Sequence, residues 1–383
     1  MNFDLSDEQR MLKDSVDRLI AEQYDFESRK TYAAQPDGWS RKRWAQFAEM
    51  GLLALPFSEE DGGFGGGPVE TMLVMEAFGR GLVLEPYLST VVVCGNLLRL
   101  GASAAQRADL IPSISDGGLL MAFAHGETQS RFDLADVATT ARKEGDGWLL
   151  NGAKRHVLHG DSADWLIVSA RVSGDRRDRD GIALFLVDAK AVGVARRSYT
   201  VQNGWRAADV DLCNVRVPST ALIGTTAEAL PLIERVVDIA LTAICTEAVG
   251  AMEKATEITV EYLKVRKQFG VTIGSFQALQ HRAVDMLVAV EQARSMAMFA
   301  TMMADEKDAV ERSRSISAAK VQIGKSARFV GTQAIQLHGG IGVTEECNVG
   351  HYYRHLTVLE ILFGDTHHHL SALALAGGLP SAA

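Results

Sequence analysis

Cysteine and basic charge are both scarce in this chain of 383 residues. The four cysteines, Cys94, Cys213, Cys245 and Cys347, are widely scattered and never form a Cys-x-x-Cys pair. This spacing indicates reduced, mostly buried thiols of a cytoplasmic protein. Lys and Arg number 39 against 48 Asp and Glu, which gives a formal net charge of -9. Without a basic excess, the chain is not expected to bind nucleic acid.

Long apolar runs are also missing. No window approaches the ~18 uninterrupted apolar residues that a membrane-spanning helix needs, so we expect no membrane span. The N-terminus is polar from Asn2 through Lys13, which is not the pattern of a signal peptide. We therefore predict a cytoplasmic location. Hydrophobic residues make up 47% and charged residues 23%, as in an ordinary globular protein, and the length predicts two or three domains.

Three motifs that would indicate other functions are absent or incomplete. The glycine run 62–67 contains no Gly-x-Gly-x-x-Gly and is followed by Pro68, so a dinucleotide-binding domain is not supported. No Gly-x-Ser-x-Gly motif is present to support a hydrolase. Residues 367–369 are three histidines, but consecutive helical residues point about 100° apart and cannot face one ion. We therefore expect no metal site and assign these histidines to a surface or an interface.

The hydrophobic pattern changes its period twice along the chain. Ser6 and Gln9 form a capping-box pattern, and helical spacing of apolar residues continues behind it. Short β-rich runs follow, and the pattern then becomes helical again. The sequence predicts an α+β fold of three domains: an N-terminal α-helical domain (1–118), a middle β-barrel or sandwich (119–226) and a C-terminal four-helix bundle (227–383).

The individual elements of the last two domains can be predicted as well. Strands are expected at 137–141, 148–150, 165–170, 182–187 and 210–213. Helices of the bundle are expected at 230–263, 276–305 and 313–337, with a fourth after residue 365. The Arg- and Asp-rich run 175–180 between two of the strands is expected to be a solvated hairpin tip.

Two motifs near the ends of predicted helices carry the functional signal. Residues 266–270 read Arg-Lys-Gln-Phe-Gly and precede Phe276-Gln277, and residues 336–342 read Gln-Leu-His-Gly-Gly-Ile-Gly. A guanidinium at Arg266 can bind a pyrophosphate through two hydrogen bonds. The Gln336 side-chain amide precedes Gly339 and Gly340, which have no side chains and so let the backbone come close to a ligand. Either motif alone could be a helix end followed by a glycine turn, but two in this order favour a binding role.

Together these motifs resemble the flavin-binding signatures of the acyl-CoA dehydrogenase family. The resemblance covers nearly the whole chain. It includes Asp7-Glu8-Gln9-Arg10, the loop 56–66, Glu127 with Asp133, Asn151-Gly152-Ala153-Lys154, Ala163-Asp164 and Val215-Arg216-Val217-Pro218. Within the family, the chain resembles most closely the small subunit of pimeloyl-CoA dehydrogenase. The order helix, β, helix bundle is also the domain order of the family.

The resemblance implies FAD as the cofactor and a specific set of site residues. The implied cofactor-binding residues are Arg266, Gln268, Phe269, Phe276, Gln277, Gln336, Gly339, Gly340 and Thr366. The implied substrate-binding residues are Asp238 and Asp133. The implied reaction converts an acyl-CoA into trans-2-enoyl-CoA: a base removes the α-proton, FAD takes the β-hydrogen as hydride, and electrons pass to an electron-transfer flavoprotein. The motifs reach across to a flavin bound mainly by a neighbouring subunit, which implies a homo- or heterotetramer.

The usual catalytic base of the family is missing here. Its Tyr-Glu-Gly-Thr motif matches residues 363–366, which places Gly364 where the glutamate belongs. A second position used by some relatives, on the helix before the arginine motif, is Ala240. Asp365 is next to the lost glutamate, and Glu247 lies two helical turns from Ala240. We predict one of these two carboxylates as the base, although either could be a structural ion-pair partner.

Other residues of the family pattern are also replaced. Leu241 stands for an arginine, Arg131-Phe132 for a Gly-Ser pair, Leu158 for a threonine near the flavin, and His156 for an aromatic residue beside it. Three hypotheses therefore stay open. The base has moved within an active dehydrogenase, or the chain is a weakly or non-catalytic subunit that completes its partner's flavin site, or it is a flavin oxidase resembling nitroalkane oxidase.

Overall fold

The computed structural model describes residues 4–225 and 229–377. Helices come first, strands follow, and helices form the last part of the chain. This order confirms the predicted α+β class. The predicted boundary at residues 226 and 227 lies outside the described residues, and the bounds of all three domains remain predictions.

Six α-helices make up the N-terminal part. The Ser6 side chain accepts a hydrogen bond from the Gln9 amide, and the Gln9 side chain accepts one from the Ser6 amide, so the capping box is confirmed. A π-helical segment, Tyr87–Cys94, leads into the fifth helix, and all of its residues are buried. The helices are α1 (Asp7–Gln23), α2 (Phe26–Ala33), α3 (Arg41–Glu49), α4 (Pro68–Gly81), α5 (Gly95–Gly101) and α6 (Ala104–Ser115).

Eight strands form one sheet in the middle of the chain. They are β1 (Met121–Ala124), β2 (Thr140–Glu144), β3 (Gly147–Leu158), β4 (Trp165–Arg171), β5 (Ile182–Asp188), β6 (Val194–Thr200), β7 (Arg206–Pro218) and β8 (Leu222–Ile223). The strand order is β6-β7-β3-β2-β4-β5-β8, and β1 pairs with β4 in parallel. Among the described residues the end strands β6 and β8 do not pair with each other, so the sheet does not close into a barrel.

Within residues 229–377, five α-helices follow the sheet, one more than predicted. They are α7 (Ala229–Val265), α8 (Gln277–Met303), α9 (Ala309–His338), α10 (Asn348–Ile361) and α11 (Thr366–Leu375). Helix α9 packs against α8, α10 and α11. Helix α10 is the one that the sequence pattern did not predict, and it begins after Cys347 without a side-chain cap. Two short strands, β9 (Lys267–Gln268) and β10 (Val271–Thr272), pair as a hairpin between α7 and α8.

The chain divides into two compact units. The described parts of the first unit are residues 4–31, 68–83 and 241–377, and those of the second are 32–67, 84–225 and 229–240. In the first unit, helices α4 and α7 cross at two glycines. A Cβ added at Gly79 would lie 1.9 Å from the carbonyl oxygen of Glu247, and one added at Gly250 would lie 1.9 Å from that of Glu76. Glycine is therefore required for this close crossing. None of the described helices is long and apolar enough to cross a membrane.

Candidate functional site

The arginine motif forms an exposed hairpin at the end of α7. Phe269 and Gly270 join β9 to β10 with φ values of 57° and 82°, the positive values that a tight two-residue hairpin turn requires. The Phe269 ring is 90% exposed, and its centroid lies 6.3 Å from that of Phe276 in an edge-to-face arrangement. The hairpin projects Phe269 away from its own unit, as a contact to a ligand or another subunit requires.

The glutamine-glycine motif lies at the C-terminal end of α9. Gly339 has a φ of 61°, and a Cβ added to Gly339 or Gly340 would meet none of the described atoms within 4 Å. The Tyr262 ring stacks on His338 with centroids 4.4 Å apart, and its hydroxyl donates to the His338 carbonyl at 3.4 Å. This contact holds the ends of α7 and α9 together, and so holds the two motifs at the same end of the bundle.

Eight of the nine predicted cofactor-binding residues are exposed to solvent. They are Arg266, Gln268, Phe269, Phe276, Gln277, Gln336, Gly339 and Gly340. The ninth, Thr366, is half-buried, and its hydroxyl donates to Glu360 Oε1 at 2.8 Å. The eight exposed positions offer an arginine, three glutamine amides, two aromatic rings and two glycines to a ligand. Thr366 already has a hydrogen-bond partner within the chain.

Asp365, the first predicted base, lies between Gly364 and the start of α11. Its carboxylate accepts a hydrogen bond from the His368 amide at 2.8 Å and forms the N-cap of α11. Such caps stabilise helices because they satisfy one of the free amide groups of the first turn. The structure thus gives Asp365 a structural role, while its catalytic role remains a prediction.

Glu247, the second predicted base, is buried on α7. Its Oε1 lies 3.0 Å from Nε2 of His355 on α10, and only 2% and 1% of the two side chains are exposed. The other oxygen, Oε2, has no hydrogen-bond partner among the described residues. The His355 partner could not be predicted from the sequence, because it lies on α10, a helix that the sequence pattern did not predict. Glu247 also remains a prediction as the base.

Gly364 follows directly after Phe363, and both have positive φ values, 116° and 58°. The rings of His368 and His369 lie on the side where residue 364 would carry a side chain. The assignment of residues 367–369 to a surface or an interface was wrong for His369, which is only 4% exposed. Asp365 caps α11, which begins at Thr366, and His369 on this helix packs toward α9 with its Nδ1 3.1 Å from Ser317 Oγ.

The two predicted substrate-binding aspartates lie in the second unit. Asp133 Oδ2 accepts hydrogen bonds from Arg177 at 2.7 and 3.1 Å. Burial alone would raise the pKa of Asp133, but the Arg177 guanidinium and the Ala135 amide outweigh it and lower the pKa. Asp238 lies on α7 and is 5% exposed. The structure does not bring these residues together with a ligand, and their roles remain predictions.

A buried ion pair lies inside the sheet of the second unit. Lys154 Nζ donates to Glu127 Oε1 at 2.7 Å, to Ser169 Oγ at 3.0 Å and to the His125 carbonyl at 3.1 Å. Burial lowers the pKa of Lys154 to about 8 although Glu127 opposes the shift. Burial would raise the pKa of Glu127, but Lys154, the Gln129 side chain and the Thr139 backbone amide lower it to about 2. Both groups are therefore charged near neutral pH.

The first unit also contains a cleft of about 860 Å³ lined by residues of α1, α2, α4, α7, α8 and α10. Its charges neutralise one another. Arg80 pairs with Glu253 and, at 2.8 Å, with Glu257, and Arg294 pairs with Glu76 at 2.6 Å. In residues 4–225 and 229–377, no group of three or more His, Cys, Asp or Glu side chains is arranged to hold a metal ion.

Three family models match consecutive parts of the chain. They describe the N-terminal, middle and C-terminal domains of acyl-CoA dehydrogenases and match residues 6–118, 122–217 and 231–377. The probable acyl-CoA dehydrogenase FadE25 of Mycobacterium bovis is 30% identical over 335 residues, with 84% of this chain and 85% of the relative covered. The probable acyl-CoA dehydrogenase YngJ of Bacillus subtilis is 27% identical, with 94% and 95% covered.

A mitochondrial relative and two solved structures extend the match. The short-chain specific acyl-CoA dehydrogenase of Rattus norvegicus is 28% identical over 340 residues, with 87% and 81% covered. The Tcur3481-Tcur3483 steroid acyl-CoA dehydrogenase is 26% identical with a TM-score of 0.86, and 96% and 97% of the two chains are covered. The FAD complex of PigA is 25% identical with a TM-score of 0.91, and 99% and 100% are covered.

Proposed function

The chain belongs to the acyl-CoA dehydrogenase family, and we propose that it acts in an assembly where a related subunit helps to complete the flavin site. Its activity is the FAD-dependent desaturation of an acyl-CoA thioester. The product that we propose is trans-2-enoyl-CoA. The observation that supports the proposed assembly is that eight residues of the two motifs are exposed on the first unit. We call them the motif surface: Arg266, Gln268, Phe269, Phe276, Gln277, Gln336, Gly339 and Gly340.

The motif surface fits a flavin nucleotide. Arg266 supplies a charged donor for a pyrophosphate, and Gln277 and Gln336 supply amides that donate and accept. The open space beside Gly339 and Gly340 accommodates a ligand against the backbone. FAD, when bound, accepts the β-hydrogen of the acyl group as hydride. The PigA relative is described as a complex with FAD, which supports the same cofactor here.

The second unit offers fewer donors than the family pattern contains. Phe132 and Leu158 are apolar where relatives carry hydroxyl groups, so neither can donate a hydrogen bond to a flavin. His156 Nδ1 lies 3.1 Å from the Tyr199 hydroxyl, so this ring nitrogen already has a hydrogen-bond partner within the chain. These replacements favour a partner subunit that supplies the missing donors.

The remaining partners follow from the family chemistry. We propose an acyl-CoA substrate, an electron-transfer flavoprotein as the electron acceptor, a cytoplasmic location, and a tetramer of two-fold symmetry. Asp238 and Asp133 remain the proposed substrate-binding residues. The relatives described above are short-chain and probable acyl-CoA dehydrogenases, so the pimeloyl-CoA dehydrogenase branch rests on sequence resemblance alone.

Flavin content tests this proposal. The chain is purified alone and together with a related acyl-CoA dehydrogenase subunit encoded beside it, and FAD per chain is measured by absorbance. We expect less than one FAD per chain for the chain alone, tight flavin binding in the complex, and reduction of that flavin by acyl-CoA without oxygen. A monodisperse monomer with full FAD occupancy would contradict the proposed assembly.

The oxidase hypothesis makes a different prediction for the reduced flavin. An oxidase would pass electrons rapidly to oxygen, whereas a dehydrogenase suppresses that reaction. The aspartate base that the oxidase hypothesis needs would be Asp365, whose carboxylate caps α11. Stopped-flow reoxidation of the acyl-CoA-reduced complex by air separates the two, and we expect slow reoxidation.

A further inference from the structure

The loop that joins β1 to β2 in the second unit, residues 125–139, is closed at its base by Glu127. The Glu127 carboxylate accepts hydrogen bonds from the amides of Ala138 at 2.9 Å and Thr139 at 3.0 Å. The buried Lys154 amine donates to the same carboxylate from inside the sheet. These bonds hold the two ends of the loop together, as in the compact surface loops that often carry binding residues. We call residues 125–139 the β1–β2 loop.

Arg171 ties this loop to the neighbouring hairpin, residues 172–181, which joins β4 to β5. Its buried guanidinium donates to the carbonyl oxygen of Ala135 in the β1–β2 loop at 2.8 Å. It also donates to two carbonyl oxygens of the hairpin, those of Arg176 at 2.8 Å and Asp180 at 2.7 Å. One planar guanidinium therefore fixes the backbone of both segments relative to each other.

Three further arginines of the hairpin are each paired with a carboxylate. The pairs are Arg176 with Asp136 at 2.9 Å, Arg177 with Asp133 at 2.7 Å, and Arg179 with Glu234 at 2.7 Å. Arg131 of the β1–β2 loop differs from them. Within residues 4–225 and 229–377, its guanidinium has neither an ion-pair partner nor a hydrogen-bond acceptor. Among the arginines of these two segments, Arg131 is therefore the one whose charge is available to a ligand.

Arg131 and Phe132 are the central residues of a tight turn at the tip of the loop. The Asp133 amide closes this turn by donating to the Ser130 carbonyl oxygen at 2.8 Å. Arg131 is exposed and has a φ of 50°, a left-handed value that favours the glycine of the family pattern. Its guanidinium carbon lies 5.7 Å from the centroid of the Phe132 ring, a cation–π contact that orients the charge. Such strained residues cluster at binding and active sites.

We propose that the Arg131 guanidinium binds a phosphate group in the CoA part of the acyl-CoA substrate. The inference rests on the proposed function, which supplies this substrate. A guanidinium binds phosphate through two parallel hydrogen bonds. The acyl end of the substrate reacts in a site that excludes water, whereas the charged CoA nucleotide stays in contact with solvent, where the exposed tip of the β1–β2 loop can reach it. Asp133, which the family resemblance places at the substrate, is two residues away.

Binding of a graded series of thioesters tests this assignment. The flavin-loaded complex is titrated by calorimetry with trans-2-enoyl thioesters, which cannot reduce the flavin. The thioesters carry CoA, 3′-dephospho-CoA, 4′-phosphopantetheine or pantetheine, so the phosphates are removed in steps. Arg131→Gln should weaken binding of enoyl-CoA by roughly ten- to a hundredfold, the effect of one charge-assisted contact. Binding of the pantetheine thioester and kcat at saturating acyl-CoA should be unchanged, and the step at which variant and parent become equal identifies the phosphate.

Two further variants separate the charge of Arg131 from its backbone strain. Arg131→Gly relieves the strain of the positive φ, so it should raise the urea midpoint of unfolding and still weaken enoyl-CoA binding as Arg131→Gln does. Arg142→Gln, at an exposed arginine of β2 in the same unit, is the matched control and should bind enoyl-CoA like the parent.

Parent-like affinity for enoyl-CoA in both Arg131 variants overturns the inference. An equal loss with the pantetheine thioester also overturns it, because the contact would then not be to a phosphate. A loss confined to thioesters with a second carboxylate would assign Arg131 to that carboxylate, and a lower FAD content would assign it to the flavin, and both results overturn the inference. A parent complex that neither binds enoyl-CoA nor has its flavin reduced by acyl-CoA contradicts the proposed function itself, and this inference with it.

Discussion

Lys154 Nζ lies 2.7 Å from Oε1 of Glu127, and 0% and 3% of the two side chains are exposed. Replacing both partners of such a buried ion pair with apolar residues changes the stability of a protein little. Removing only one partner leaves a buried charge without its counter-charge and destabilises the fold. Both residues belong to the sequence pattern that resembles the family. The structure shows that they hold β1 and β3 regions of the sheet to one another from the inside.

Lys154→Met is expected to destabilise the protein by about 3 to 5 kcal/mol, because the Glu127 carboxylate then stays buried in the core without a positive partner. Lys190→Met, at an exposed position of the same unit, should change stability by less than about 0.5 kcal/mol. Urea denaturation of the two variants measures the difference. Equal stability of Lys154→Met and the parent would show that the pair is not stabilising in this sense.

Acid should weaken the fold through Glu127. The pKa of Glu127 is lowered from 4.5 to about 2 in the folded chain, so the unfolded chain binds its proton at a higher pH. The contribution of Glu127 to the free energy of unfolding is therefore complete above pH 4.5 and is lost as the pH falls toward about 2. Glu127→Gln should show a shallower loss of stability across this range than the parent, as measured by urea midpoints at successive pH values.

Arg266→Ala is expected to weaken FAD retention by roughly ten- to a hundredfold, since it removes a charge-assisted contact of about 1.5 to 3 kcal/mol. Gln336→Ala removes one neutral hydrogen bond and should have a smaller effect. Lys264→Ala, which removes an exposed charge two residues before Arg266, serves as the control. Equilibrium dialysis of FAD gives the affinities. Parent-like affinity in both motif variants would show that the cofactor binds elsewhere.

Gly364→Ala should destabilise the first unit by about 2 to 5 kcal/mol, because backbone strain and overlap with two imidazole rings add together. Gly62→Ala provides the comparison, since Gly62 also has a positive φ, 83°, but no described atom lies within 4 Å of its added Cβ. Strain alone should cost about 1 kcal/mol there. Thermal unfolding of both variants tests whether the His368 and His369 rings occupy the space that a side chain at residue 364 would need. Equal losses would mean that they do not.

Local physical chemistry let the sequence alone determine much of the molecule. The Ser6 capping box depends on residues three apart, and the change from helical to alternating apolar spacing depends on which face each segment buries. The glycine at position 270 likewise predicted a turn after α7, and Gly270 has a φ of 82°. These features predicted the α+β class and the order of helices, then strands, then helices, and the matches to the three acyl-CoA dehydrogenase domain models follow the same order.

Only the tertiary structure decided which polar residues are available for chemistry. Asp365 and Glu247 are both carboxylates near the lost base, but folding places one at the N-terminus of α11 and the other 3.0 Å from His355 on a helix that the sequence analysis missed. Folding also buries His369 and places its Nδ1 3.1 Å from Ser317 Oγ on α9. Such pairings join residues far apart in the chain, and spacing along the sequence cannot specify them because they depend on which helix faces pack together.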